Sequence, residues 1–270
     1  MSVNINKSKS YQFHYDLTGN KNYPLILLLH GFTCDSQDFN SVISLLSQSY
    51  CCLAVDLPGH GKTRVSGDES CYNMTNTAQA LIYLLDDLQI DKCLLLGYSM
   101  GGRLALYMTL RFPDRFEKVV LESASPGLKT AKDRSHRIQS DLHLAQKLEN
   151  SNLKDFLYNW YDRPLFQSLK KSPNFDRLIE ARLANNPIEL AKSLRNMGTG
   201  NQPSLWAQLA QNQIPLLLLV GEYDDKFTTI NTKIANLCPA ASLKIVPKSG
   251  HNIHFENTDE FVEIVRQFYD

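Results

Sequence analysis

The feature that most constrains this chain is a rhythm. Short, nearly all-apolar runs recur along it at residues 24–29 (Pro-Leu-Ile-Leu-Leu-Leu), 51–55, 93–96, 118–121, 215–220 and 243–246, and helical patterns separate most of them. A run of this length without polar alternation fits a strand buried on both faces, and such strands belong to parallel sheets covered by helices on each side. Amphipathic helices are expected near 38–48, from about 74 to 88 and from about 258 to 269. Strand alternating with helix predicts an α/β fold around a mostly parallel central sheet flanked by helices. An earlier alternating run, Tyr11-Gln12-Phe13-His14-Tyr15, is expected as an edge strand.

The rhythm stops between Ser125 and about Gly200. That stretch reads as helical, offers no convincing strand, and is followed by a return of the sheet pattern at Pro215. The expected organisation is a core formed by 1–124 and 201–270, with a helical lid inserted at 125–200. The insertion holds thirteen Lys plus Arg against eight Asp plus Glu, a net +5, which leaves the remainder at −5. A solvated helical surface explains much of such an excess, and a bound anion is the competing explanation. Over the whole chain 28 basic residues meet 28 acidic ones, so the balance favours neither nucleic acid nor an anionic membrane as partner. The start, Met1-Ser2-Val3-Asn4-Ile5-Asn6-Lys7, is polar rather than leader-like, and no apolar run reaches membrane-spanning length. A cytoplasmic protein, monomeric and acting on a small molecule, is the expectation. Six cysteines, at 34, 51, 52, 71, 93 and 238, form no C-x-x-C pair and read as reduced core thiols.

Chemistry concentrates at residues 97–103, Gly97-Tyr98-Ser99-Met100-Gly101-Gly102-Arg103. They follow an apolar strand and precede Leu104, Ala105 and Met108 at helical spacing, so Ser99 stands on a sharp strand-to-helix turn. Glycines at 97 and 101 leave that turn room to pack against strand and helix. A G-x-S-x-G string alone is weak, and partners have to support it. Asp224 lies just past the run 215–220, and His251 lies just past the run 243–246, giving the order Ser, Asp, His that hydrolases of this architecture use. Asp225 is an alternative acid and His254 a weaker alternative histidine. Phe32, in the turn His30-Gly31-Phe32 after the first apolar run, and Met100 are the candidates for the two backbone N–H groups of an oxyanion site. His30, His60 and the loop Asp56-Leu57-Pro58-Gly59-His60-Gly61 read as structural.

In these motifs, taken in order over nearly the whole length, the chain resembles the α/β-hydrolase-fold family. Longer strings narrow the match: Ser99 to Arg103, Glu122 to Leu128, Trp160 to Phe166, Gly198 to Pro203, Asp224 to Phe227 and Gly250 to His254 resemble the 2-succinyl-6-hydroxy-2,4-cyclohexadiene-1-carboxylate synthases of menaquinone and phylloquinone biosynthesis. The resemblance implies a lyase that eliminates pyruvate from 2-succinyl-5-enolpyruvyl-6-hydroxy-3-cyclohexene-1-carboxylate, without metal or organic cofactor. It further implies that Arg103, Arg137 and Arg182 bind the carboxylates of that substrate, with Tyr98 and Trp160 lining the site. Guanidinium suits that task because it grips carboxylate in a two-pronged geometry. Arg134 and Lys226 are further basic candidates. The loop Thr33-Cys34-Asp35-Ser36 departs from the commonest family version. A serine hydrolase (esterase, thioesterase or carbon-carbon bond hydrolase) could use the same triad, and a non-catalytic receptor on this fold would not need it.

Overall fold

The computed structural model describes residues 10–270; the polar opening Met1–Lys7 lies outside the described residues. The strands are β1 (Tyr11–Gln12), β2 (Tyr15–Thr18), β3 (Leu25–Leu29), β4 (Cys51–Val55), β5 (Arg64–Val65), β6 (Cys93–Tyr98), β7 (Phe116–Glu122), β8 (Leu216–Gly221) and β9 (Ala241–Val246). Seven of them form one sheet in the order β2-β4-β3-β6-β7-β8-β9, parallel throughout except for β2, which pairs antiparallel with β4. Every apolar run of the sequence falls in this sheet.

Side chains alternate across the pleat, and this splits the core in two. Leu27, Leu29, Leu53, Val55, Leu95 and Leu121 face α2 (Met74–Asp87), α3 (Met100–Arg111) and α8 (Asp225–Leu237). Ile26, Leu28, Cys52, Leu96, Val120 and Leu219 face α1 (Asn40–Leu46) and α10 (Thr258–Tyr269). Both layers are almost wholly buried, which is why β3, β4, β6 and β8 need no polar face. Five of the six cysteines are buried and all six are free. Among the described residues no helix is long and apolar enough to cross a membrane.

Between β7 and β8 the chain forms α4 (Ala131–Asn150), α5 (Leu153–Tyr161), α6 (Phe175–Arg182) and α7 (Pro187–Met197). These helices bury two small apolar clusters of their own, one around Leu157, Tyr161, Leu178 and Ile179, the other around Ala145, Leu148, Leu190 and Leu194. A four-residue helix, α9 (Ile253–Glu256), follows the loop after β9.

The expected edge strand at Tyr11–Tyr15 is corrected. The run breaks at Phe13-His14: β1 pairs with β5 in a separate two-stranded ladder, whereas the sheet edge is β2. At the break the His14 N–H donates to Thr63 Oγ1 (2.9 Å) and its carbonyl accepts from the Asp56 N–H (2.9 Å), so the backbone groups of His14 serve two loop contacts instead of a ladder.

Candidate active site

The elbow is set by close approach. Ser99 has φ +49°, an uncommon conformation for a residue with a side chain. A Cβ on Gly97 would meet the Gly101 carbonyl, and one on Gly101 would overlap the carbonyl of Leu29. Backbone bonds then fix the turn: Ser99 N–H donates to the Glu122 carbonyl (2.8 Å) and Gly101 N–H to the His30 carbonyl (3.0 Å). The nucleophile turn is thus bonded directly to the turn that carries Phe32.

The structure brings Ser99, Asp224 and His251 together. His251 Nδ1 lies 2.7 Å from Asp224 Oδ2, and His251 Nε2 lies 3.0 Å from Ser99 Oγ. An ionised carboxylate can only accept, so Nδ1 carries the proton and Nε2 is left to accept from the serine hydroxyl. Asp224 and His251 are buried while Ser99 is half-buried and opens on the cavity. The other oxygen of Asp224 accepts from the Phe227 N–H (3.1 Å) at the start of α8, which fixes the carboxylate. Asp225 lines the cavity but does not bond to His251. Phe32 and Met100 both line the cavity, and neither backbone N–H has an acceptor among the described residues.

The neighbouring loops are braced as the sequence suggests. His30 donates from Nδ1 to the Gly31 carbonyl (2.7 Å) and accepts at Nε2 from the Leu57 N–H (2.9 Å). His60 packs its ring on His30 and Phe32, at 5.1 and 5.5 Å between centroids. Thr33, at φ +70°, is tied to the inserted helices through Tyr161 (3.0 Å) and through Asn185, which donates to its carbonyl (2.9 Å).

Ser99 lies in a cavity of about 1020 Å³ bounded by strand-end loops and by the inserted helices. Its wall carries six cationic side chains (Arg103, Lys129, Arg137, Arg163, Lys226 and Lys233) against three acidic ones (Asp133, Asp224 and Asp225). Asp224 is already committed to His251. Arg103 is 9% exposed, and its guanidinium donates only to neutral acceptors, the Met197 carbonyl (2.9 Å) and Gln202 Oε1 (3.2 Å). Burial, with Arg137 nearby, lowers Arg103 to about 10. Arg137 donates from Nε to Asp141 Oδ1 (2.7 Å). Trp160 also lines the cavity, its ring 5.0 Å from that of Phe32.

Three expected residues, Arg182, Tyr98 and Arg134, stand off the cavity wall. Arg182 is not on the cavity wall; its guanidinium pairs with buried Asp38. Asp38 also faces His254 Nε2 (3.1 Å), and His254 Nδ1 faces Glu122 Oε2 (2.7 Å), giving a buried chain Arg182–Asp38–His254–Glu122. Burial disfavours a charged imidazole there, yet the carboxylates on either nitrogen raise His254 to about 9. Likewise burial opposes the ionised Asp38, and Arg182 and His254 overcome it, holding the carboxyl well below the usual range. His254 therefore serves this chain and not Ser99. Tyr98 sits behind the catalytic face, its ring 5.6 Å from that of His251 and 4.8 Å from that of His254. Arg134, also off the cavity wall, donates to the Leu128 and Lys129 carbonyls (3.2 and 3.3 Å).

Sequence reasoning missed Arg163 as a site residue. Its guanidinium carbon lies 3.9 Å from the centroid of Trp160, and its spacing of three from that residue was the available signal. The same holds for Asp141, four residues after Arg137. Among the described residues no group of three or more His, Cys, Asp or Glu side chains is arranged to hold a metal ion.

A model of the α/β hydrolase fold matches residues 24–258, and the chain belongs to that family. Within it, the chain belongs with the 2-succinyl-6-hydroxy-2,4-cyclohexadiene-1-carboxylate synthases. A Bacillus subtilis (strain 168) protein given that name provisionally is 37% identical over 99% of this chain and 98% of its own length. The synthase of that name from Serratia proteamaculans (strain 568) is 33% identical over 93% of this chain and 94% of its own. In three dimensions the chain is similar to MenH from S. aureus, with a TM-score of 0.89 and 35% identity over 96% of this chain and 97% of that one.

Proposed function

We propose that this protein is a carbon-oxygen lyase, a 2-succinyl-6-hydroxy-2,4-cyclohexadiene-1-carboxylate synthase, in which Ser99 acts as a base. The observation that carries the reading is the pairing of an assembled Ser99–His251–Asp224 chain with a cavity whose cations outnumber its acids. Kinship with the named synthases points the same way. An apolar ester has no use for that excess of charge, whereas a substrate with carboxylates on its ring, succinyl arm and enolpyruvyl group does.

The steps follow from the geometry. Asp224 orients His251 and stabilises it once it is protonated; His251 Nε2 takes the Ser99 hydroxyl proton as Ser99 Oγ takes the proton from the ring carbon beside the succinyl ketone. Negative charge builds on the ketone oxygen, where the free N–H groups of Phe32 and Met100 can receive it. Collapse of that enolate shifts the ring double bond and breaks the bond to the enolpyruvyl oxygen. The proton held by His251 goes to the departing group, which leaves as pyruvate. Nearby cations favour the additional negative charge of the enolate intermediate.

Residues 125–200 form the lid of this site in our reading, which the shared lining of the cavity supports. We place the protein in the cytoplasm, as a monomer. The test is pyruvate release from the enolpyruvyl substrate, coupled to lactate dehydrogenase. Wild-type protein should release pyruvate, and Ser99→Ala should lose roughly a hundredfold or more of that rate, the range of a positioned base. Rapid hydrolysis of simple esters with no pyruvate would reject the lyase and favour a serine hydrolase.

A further inference from the structure

Four of the cavity's cations differ in how they are used. Arg103 is held by two neutral acceptors, and Arg137 is partly neutralised by Asp141. Arg163 and Lys226 have no side-chain acceptor among the described residues. Both line the cavity that holds Ser99. Arg163 stacks on Trp160, which abuts Phe32. Lys226 precedes Phe227, whose ring lies 4.6 Å from that of His251.

Besides partial burial, Arg137 disfavours the charged form of Arg163, and both Arg137 and Arg163 disfavour that of Lys226. Arg103 responds to Arg137 but to neither of the other two. Arg137, Arg163 and Lys226 thus share the cavity wall within electrostatic reach of one another. Asp141 and Asp224 offset part of the repulsion, and a bound carboxylate relieves the rest.

We infer that Arg163 and Lys226 form a carboxylate subsite on this cavity wall, and that it takes the third substrate carboxylate, the one the resemblance assigned to Arg182. The inference rests on the lyase reading for its substrate, but not for the anion site itself. Arg182 cannot fill the role in this arrangement because Asp38 already occupies it. Arg163 offers a two-pronged grip with its apolar face fixed on Trp160, and Lys226 adds a point charge from the side of His251.

The test uses the full chain and two readouts. Calorimetric titration with benzene-1,3,5-tricarboxylate reads the anion site without chemistry, and pyruvate release reads KM and kcat. Arg163→Gln and Lys226→Met should each weaken the tricarboxylate and raise KM roughly ten- to a hundredfold, as loss of a charge-assisted contact does, with kcat changed far less. Arg163→Lys should recover part of the loss. If wild type releases pyruvate and both variants keep its KM, the subsite is wrong and the lyase stands. If wild type binds the tricarboxylate through Arg163 yet releases no pyruvate, the lyase is wrong and the subsite stands. Unchanged tricarboxylate affinity in both variants overturns the subsite in either case.

Discussion

Replacing Asp38 by Asn tests the reassignment of Arg182 directly. Asp38 faces Arg182 through one oxygen and His254 through the other, and all three side chains are buried. Asn keeps the shape but removes the charge, leaving a buried guanidinium whose Nε already has no acceptor among the described residues. Breaking one side of a buried pair costs about 3–5 kcal/mol, a large share of the roughly 5–15 kcal/mol that holds a typical protein folded. With a urea m-value of about 3 kcal/mol/M, the unfolding midpoint should fall by about 1–1.7 M. Arg182→Met in the same chain removes the stranded cation, so the double variant should be at least about 2 kcal/mol more stable than the two single losses added together. The pH dependence supplies a second check. His254 is raised from 6.5 to about 9, so its contribution is fully present below about pH 6.5 and is lost as pH rises through 9. At 1.36 kcal/mol per pKa unit this is about 3 kcal/mol. Without the Asp38 charge, the fall in stability should be smaller and should end at lower pH. A cost under about 1 kcal/mol for Asp38→Asn would refute the buried-pair account. An Arg182→Met variant that keeps its stability but raises KM tenfold would return Arg182 to the substrate.

Two further outcomes follow from the elbow and the cavity. Gly101→Ala forces a methyl group into the Leu29 carbonyl; it should cost about 1–3 kcal/mol in urea unfolding and move Ser99 enough to lower kcat at least tenfold, and full activity would show that the turn tolerates a side chain. Because six cations face three acids across the cavity, kcat/KM for an anionic substrate should fall several-fold as salt rises from about 0.02 to 0.3 M, a range over which the screening length shrinks to a few ångströms. A flat salt profile would mean that the cavity charge plays no part in substrate capture.

The contrast between Arg103 and Arg182 shows what the sequence could and could not carry. Strands, elbow and triad order are local or periodic facts: a buried parallel strand must be apolar on both faces, a sharp turn must be small at its flanks, and an acid or histidine placed after a strand points to the same edge of the sheet. Those pieces were legible, and so was Arg103, because one helical turn fixes it near Ser99. Arginines of the inserted segment obey no such rule. Arg137, Arg163 and Arg182 lie on different helices or on the loop between them, and which one faces the cavity depends on how α4 to α7 pack. That packing is set by scattered contacts such as Asp38 with Arg182 and Thr33 with Tyr161, separated by more than a hundred residues. The net +5 of the insertion was readable, but its division between a bound anion and a buried counter-ion was not. Asp38 is the residue that decides it: an acid in the loop after β3 looks like a surface charge in sequence, and only the burial of its side chain against His254 and Arg182 shows that one arginine of the inserted segment pairs with the core. In our reading the anion-binding task is then left to Arg103, Arg137, Arg163 and Lys226, which all line the cavity.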